Sequence, residues 1–528
     1  MKREELIAPE KYNIIHAIEK YALQKDKVAV KWENEQGVKK EVTYENLFSN
    51  VNKVGNIFLS SGLQKGDVLL IMVPKLIEAY EIYLAALKTG MVVIPSSEML
   101  KPKDLQYRIQ HGDVKGIVCY GPYASQLEGV EGIEGFEKFI IGEEKKGWHD
   151  IDALKDNSSD TLACAVTSRE DMAFLSYTSG TTGNPKGVVH THGWGYAHLR
   201  TAAKNWLSID EGDTVWATAA PGWQKWIWSP FLSVLGSGGT GIVYHGRFEP
   251  RKYLELLDEY EVNVLCCTPT EYRLMAKVDT LDRYKLPHLQ SAVSAGEPLN
   301  REVIDTFQTH FNVQVRDGYG QTENTLLVGI MKGMEIKPGS MGKPTPGNSV
   351  TIINEEGIEC GVGEVGDIAV HIDTPALFKN YYKDPERTAI QFRGSYYITG
   401  DKAKQDEEGY FWFEGRGDDI IISSGYTIGP FEVEDALVKH KFVKECAVVG
   451  SPDMIRGSIV KAYIVLQEGI DEKDETLIQT LQNHVKSLTA PYKYPRKIEF
   501  VRELPKTTSG KIRRIELRQK EQATFNKS

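Results

Sequence analysis

The sequence predicts an α/β protein of more than one domain, with a large N-terminal region built on mostly parallel sheet and a smaller α+β region at its C-terminal end. Three observations carry this. The chain has 528 residues, and a single hydrophobic core rarely grows past roughly 250–300 residues. Helix-period and strand-like segments alternate through the first third, which implies parallel strands covered by helices. From about residue 347 to 415 the chain turns strand-rich, and the polar, compact segment EGRGDDI at 414–420 separates this stretch from the last unit.

Taken in order, Ile14, Ile15, Ile18, Tyr21 and Ala22 recur at the spacing of one helix face. VAVKWENEQGVKKEVTY reads as a hairpin turning near Gly37. Leu47, Val51, Val54 and Phe58 mark a second amphipathic helix. VLLIMVP at 68–74 is a short apolar strand, followed by a helix through EAYEIYLAALKTG and the strand MVVIP. After a polar stretch near 152–160, AFLSY reads as a strand running into a glycine- and threonine-rich loop. NVLCCTPT and VQVRDGYGQTE are strands that end in loops, and SVTIINEEG, GDIAVHI and GYFWFEGR are the strand-rich part. The last unit has strands AVVG and KAYIVLQ and a helix over ETLIQTLQNHVKSL.

Composition narrows the function. With 41% hydrophobic and 26% charged residues the chain reads as ordinary globular protein. A net charge of -10 argues against general affinity for nucleic acid or an anionic membrane. Six cysteines, Cys119, Cys164, Cys266, Cys267, Cys360 and Cys446, form no C-x-x-C pair, so they read as reduced buried thiols. The opening residues lack the apolar core of a signal peptide, and no apolar run reaches the roughly 18–20 residues of a membrane span. A reducing cytoplasm is the expected home, with no integral membrane association.

One loop carries the first chemical signal. In YTSGTTGNPKG at 177–187, three glycines and a cluster of hydroxyls follow a strand and a lysine closes the loop. Glycines let backbone N–H groups approach phosphate oxygens. Thr178, Ser179, Thr181 and Thr182 can donate hydrogen bonds, and Lys186 adds charge. The spacing is not that of the Walker loop. A flexible surface linker would explain the Gly, Ser and Thr, but not the lysine or the position after an apolar strand.

The full string resembles the signature loop of the adenylate-forming superfamily: acyl-CoA synthetases, adenylation domains of peptide synthetases and firefly-type luciferases. DGYGQTE at 317–323, YITGD at 397–401, GRGDDIIISSGY at 415–426 and PKTTSGK at 505–511 match that family's later motifs in order. SGYTIGPFEVEDAL and the segment leading to SGKIRR are most similar to the medium-chain acyl-CoA synthetase branch. The resemblance implies a large adenylation domain over 1–415, of stacked α/β sheets with a barrel-like part, and a small mobile domain over 416–528 that turns about Asp418. It implies ATP, Mg²⁺ and coenzyme A as cofactor and substrates, a small carboxylic acid as the other substrate, and a monomer or homodimer.

Site residues follow from the same resemblance. ATP would be held by Thr178, Ser179, Gly180, Thr181, Thr182, Gly183 and Lys186, with Gly296, Glu297 and Pro298 on the adenine side. Asp317, Gly318, Tyr319, Gly320 and Gln321 complete that site, with the Tyr319 ring offered to adenine. Asp401 would accept the ribose hydroxyls and Arg416 would bond ribose or phosphate. Thr322 would contact the α-phosphate, and Glu323, with Thr182, would hold the metal. Lys511 would be the mobile lysine that stabilises charge building on phosphorus. Ser424, Gly425 and Tyr426 would line the path of CoA, and Arg456, Lys486 and Arg496 would contact its nucleotide.

Trp223, Lys225, Trp228, Cys267 and Gly320 would bound the acyl pocket, although an aromatic core cluster explains the tryptophans of PGWQKWIW equally well. Acetate-specific relatives carry tryptophan where Gly320 stands, so this pocket is expected to be deeper. Each buried CH₂ is worth about 0.8 kcal/mol, which suggests acids of roughly three to eight carbons, branched ones included. Close relatives carry arginine where Thr427 stands, so either another cation such as Arg456 compensates or CoA and AMP are held less tightly. His190 and His192 form an H-x-H without a nearby third ligand and read as core or supporting histidines. The alternatives are a stand-alone adenylating enzyme for an aryl or amino acid, a light-emitting oxygenase, and a silent nucleotide sensor. No aspartate stands in 220–228 to meet an α-amine, and Lys186, Glu323, Asp401 and Lys511 are all present.

Overall fold

The computed structural model describes residues 1–178, 185–296, 299, 301–417, 419–423, 426–453, 456–472, 474, 476–507 and 511–525. The chain divides into two compact units, Met1–Val350 with Val370–Ser395, and Thr351–Ala369 with Tyr396–Ser528. Tyr396–Gln405 and Phe411–Arg416 pair antiparallel with each other and belong to the second unit.

The first unit holds two sheets. In one, the strands run in the order His149–Asp150, Glu137–Ile141, Val114–Tyr120, Val68–Met72, Val92–Pro95, Met172–Thr178 and Lys186–Thr191. All neighbours are parallel except the last pair, which is antiparallel. The second sheet places Val264–Cys266, Ser291–Ala295 and Val315–Gly320 side by side and parallel. Its far edge is the expected hairpin, Val28–Asn34 against Lys39–Thr43, with Gly37 at φ +75° in the turn.

The helix period also holds where the core needs it. Tyr44–Ser60 begins at Thr43, whose side chain accepts the Asn46 N–H. Leu47, Val51, Val54 and Phe58 are fully or almost fully buried on one face. They share a core with Ala79, Ile82, Tyr83 and Ala86 of the helix Ile77–Lys88. The first expected helix is shorter than its apolar spacing suggests: His16–Glu19 is α-helical and Lys20–Leu23 tightens to a 3₁₀ turn. Ile14, Ile15 and Ile18 are buried all the same, so burial rather than helix length explains the pattern.

In the second unit, Val443–Asp453, Gly457–Leu466 and Lys497–Phe500 make a three-stranded sheet. Leu477, Leu481 and Val485 of the helix Leu477–Leu488 are buried against it. No helix among the described residues is long and apolar enough to cross a membrane.

Candidate active site

Thr178 ends one strand and Lys186 opens its antiparallel partner, and the two stand opposite each other in register. Ser179, Gly180, Thr181, Thr182 and Gly183 lie outside the described residues. The Lys186 Nζ lies 3.4 Å from the hydroxyl of Tyr381 and 4.9 Å from the centre of its ring. The same hydroxyl donates to Glu323 Oε1 at 2.8 Å. One buried tyrosine therefore joins the loop lysine to the carboxylate of the QTE motif.

Tyr381 is fixed by backbone pairing. Lys379 N–H donates to the Val189 carbonyl, Val189 N–H to the Asn380 carbonyl, and Tyr382 N–H to the Gly187 carbonyl. Phe378 N–H donates to the Glu323 carbonyl at 2.7 Å, so the segment spans both halves of the site. Sequence reasoning missed Tyr381. A tyrosine in KNYYKD has no motif around it, and only this pairing brings it to the site.

The strand Val315–Gly320 lies parallel to Ser291–Ala295, with Asp317 opposite Ser294 and Gly318 opposite Ala295. Gly296 follows at φ +104°, a conformation that favours glycine. Glu297 and Pro298 lie outside the described residues. Tyr319 and Gly320 are half-buried at the strand's end. Asp317 is buried, and burial pushes its carboxyl up to about 7 although the Gly318 N–H donates to it. After the strand, Gln321 N–H donates to Asn324 Oδ1 and Asn324 N–H to the Gln321 carbonyl, closing a turn that presents Thr322 and Glu323.

Two histidines and two tryptophans brace this turn and the strand before it. His190 Nε2 donates to the Thr322 carbonyl at 2.5 Å, and burial holds the ring neutral by lowering its pKa to about 3. His198, held down to about 4 by burial, bonds the Thr325 hydroxyl through Nδ1 at 2.7 Å and meets the Trp228 carbonyl through Nε2 at 2.9 Å. Trp194 packs between the two rings and donates to the Asn324 carbonyl. Trp206 donates to the Asp317 carbonyl. His192 instead faces the N-terminal segment, where Nδ1 accepts the Ile14 N–H. The H-x-H thus pins two different backbones.

The tryptophans of PGWQKWIW have separate fates. Trp226 stacks on Phe231 and meets Tyr80 and Tyr83, an aromatic core. Trp223 is half-buried ahead of the turn Gln224–Trp226. Trp228 and Cys267 are buried. The Lys225 amine lies 5.0 Å from the Trp206 ring centre and 5.8 Å from that of Trp228, with no hydrogen-bond partner among the described residues. A Cβ at Gly320 would collide with the Thr325 carbonyl oxygen and come within 3.1 Å of the Trp228 ring, so only glycine fits this backbone without a shift.

In the second unit, Asp401 stands opposite Arg416 in the antiparallel pair, bringing the two candidate ribose contacts together. Asp418, Ser424 and Gly425, and the side chains of Tyr426 and Thr427, lie outside the described residues. Lys486 Nζ lies 4.1 Å from the Tyr494 ring centre and the Arg496 guanidinium 4.9 Å from it, so these two cations share one aromatic support. Arg456 is exposed, and its N–H donates to Asp453 at 2.8 Å. Lys511 is exposed; Thr507 N–H donates to the Lys511 carbonyl, and Lys506 bridges Ile512. Arg514, three residues on, grips the buried Glu434 carboxylate at 2.7 Å.

Comparison with known proteins agrees with this geometry. Residues 19–382 match the AMP-binding enzyme family, and residues 432–511 match the AMP-binding enzyme C-terminal domain. The chain is 63% identical over 522 residues to the uncharacterised acyl-CoA ligase YtcI of Bacillus subtilis (strain 168), covering 99% of this chain and 98% of that protein. It is 41% identical over 502 residues to mouse mitochondrial acyl-coenzyme A synthetase ACSM3, covering 93% and 86% of the two chains. Among solved structures, the anthranilate CoA ligase AuaEII in complex with anthranoyl-AMP superposes with a TM-score of 0.91 at 28% identity, over 100% of both chains. The chain belongs to the AMP-binding, adenylate-forming enzyme family and is an AMP-forming acyl-CoA ligase.

Proposed function

We propose that this ligase activates a short to medium carboxylic acid through an acyl-adenylate and passes the acyl group to coenzyme A in the cytoplasm. The supporting observation is the Lys186–Tyr381–Glu323 cluster, where the loop lysine and the QTE carboxylate meet at one hydroxyl. The acid's carboxylate attacks the α-phosphorus of ATP, the bond to the β-phosphate oxygen breaks, and pyrophosphate leaves. Lys186 and the loop from Thr178 hold the phosphates, while Thr322 and Lys511 stabilise the charge that builds on phosphorus. The CoA thiol then attacks the mixed anhydride, and AMP leaves with the bonding electrons.

Mg²⁺ fits the residues present, since Glu323 is a hard carboxylate ligand of which one oxygen is engaged by Tyr381. It would be held by Glu323 and Thr182, where it would neutralise charge on the phosphates. Lys486 and Arg496, together on Tyr494, and Arg456 are the proposed contacts of the CoA nucleotide.

The filled space at Gly320 and the buried ring of Trp228 favour the short end of the range, roughly three to six carbons, since a long linear acid needs an open tunnel. The fold shared with an anthranilate CoA ligase supports a second reading, a single-ring aryl acid. ATP–pyrophosphate exchange with acetate, propionate, isobutyrate, 2-methylbutyrate, hexanoate, benzoate, anthranilate and palmitate tests both. An optimum among the branched or three- to six-carbon acids is expected. Benzoate or anthranilate as the optimum would favour the aryl reading, and palmitate would exclude a closed pocket.

A further inference from the structure

We propose that the N-terminal segment and the π-helix Leu199–Leu207 form a second ligand site, for a small organic anion with an apolar or aromatic body. A cavity of about 480 Å³ lies there, within the size range of small-molecule sites. None of the residues assigned above to ATP, CoA, metal or acid lines it.

Its chemistry is cationic in a protein of net charge -10. Arg200 and Lys20 both line it, and neither has a carboxylate partner among the described residues. The Arg200 guanidinium instead stacks 3.2 Å from the Tyr196 ring centre and donates to the Tyr196 carbonyl. Lys20 lies over Tyr21 at 4.7 Å. The one carboxylate on the wall, Glu211, is already bonded by Gln24 at 2.9 Å and Lys27 at 3.0 Å, and Lys204 is paired with Asp210.

The remaining walls are mixed: Leu199 and Ile209 are buried, the Tyr12 and Tyr196 rings meet edge to face at 5.2 Å, and His16 and Ser237 add polar groups. Guanidinium and ammonium suit an anionic head, and the rings and aliphatic walls suit its body. The helix that carries Arg200 also carries Trp206, which donates to the Asp317 carbonyl, so the site abuts an element that braces the active site.

The test reads binding alone and so does not depend on which acid the ligase activates. Phenyl phosphate is titrated into the full chain by calorimetry, with AMP in excess to fill the nucleotide site and inorganic phosphate as a parallel probe. One equivalent is expected to bind at a dissociation constant of about 1 mM or lower, and more tightly than inorganic phosphate. Lys20→Gln with Arg200→Gln should weaken it by at least ~10-fold. Circular dichroism establishes that the double variant is folded. Absence of binding up to about 10 mM, displacement by AMP, or unchanged affinity in the folded double variant would overturn the proposal.

Discussion

At the residue scale, two positions give opposite lessons about reading a side chain from its motif. The expected place of Gly320 in the acyl pocket came from its motif, whereas the Thr325 carbonyl and the Trp228 ring beside it could not be read there. Gly320→Trp is expected to cost stability and to abolish adenylation of every acid, because the Thr325 carbonyl cannot yield to a Cβ. A folded variant with raised kcat/KM for acetate would show that the turn relaxes and that the pocket lies open after all. Asp317 shows what burial adds. Its pKa rises from 3.8 to about 7 in the folded state, so the native protein binds the proton more tightly than the unfolded chain. The sign follows: between these values the folded state holds more protons, and stability falls as pH rises, by at most about 1.4 kcal/mol per pH unit from this group. Asp317→Asn should flatten that decline in urea melts between about pH 4 and 7, while an unchanged slope would assign it to other groups.

At the scale of elements, the stretch that carries Lys511 is the one most directly open to test. Thr507 N–H donates to the Lys511 carbonyl, and Arg514, three residues past Lys511, pairs with Glu434 of the helix Pro430–Val438. Burial raises the Glu434 carboxyl, and the Arg514 guanidinium beside it works in the other direction. Lys511→Ala is expected to lower acyl-adenylate formation by about 10²–10³-fold, typical of losing one transition-state contact, and to spare thioester formation from supplied acyl-AMP. Equal loss in both half-reactions would show that the lysine does not belong to the first step alone. The turn at 321–324 makes a related point: its motif could be read in the sequence, whereas its bracing by His190 and Trp194 could not.

At the scale of the whole molecule, the proposed alternation between half-reactions needs a hinge. Proline fixes φ and removes an N–H. Asp418→Pro is therefore expected to keep ATP–pyrophosphate exchange or thioester formation, but to reduce the coupled reaction by at least ~10-fold. Full overall turnover in that variant would place the hinge elsewhere. The packing of the chain leaves room for this outcome, because Tyr396–Gln405 and Phe411–Arg416 belong to the C-terminal unit and not to the N-terminal one.

The sequence by itself determined the family, the α/β class and most of the strands, because backbone periodicity and glycine-rich phosphate motifs are local properties. It also located Lys186, Asp317, Glu323, Asp401 and Lys511 as the residues of interest, since each sits inside a contiguous motif. Tertiary structure alone decided what lies next to them. Tyr381, 195 positions from Lys186 and 58 from Glu323, joins the two by pairing its backbone neighbours to Lys186–Thr191. Trp228 and the Thr325 carbonyl fill the space left at Gly320, and Tyr196 and Arg200 meet Tyr12 over a separate cavity. The physical reason is the same in each case: period and propensity act over a few residues, whereas packing joins residues whose separation along the chain leaves no pattern to read.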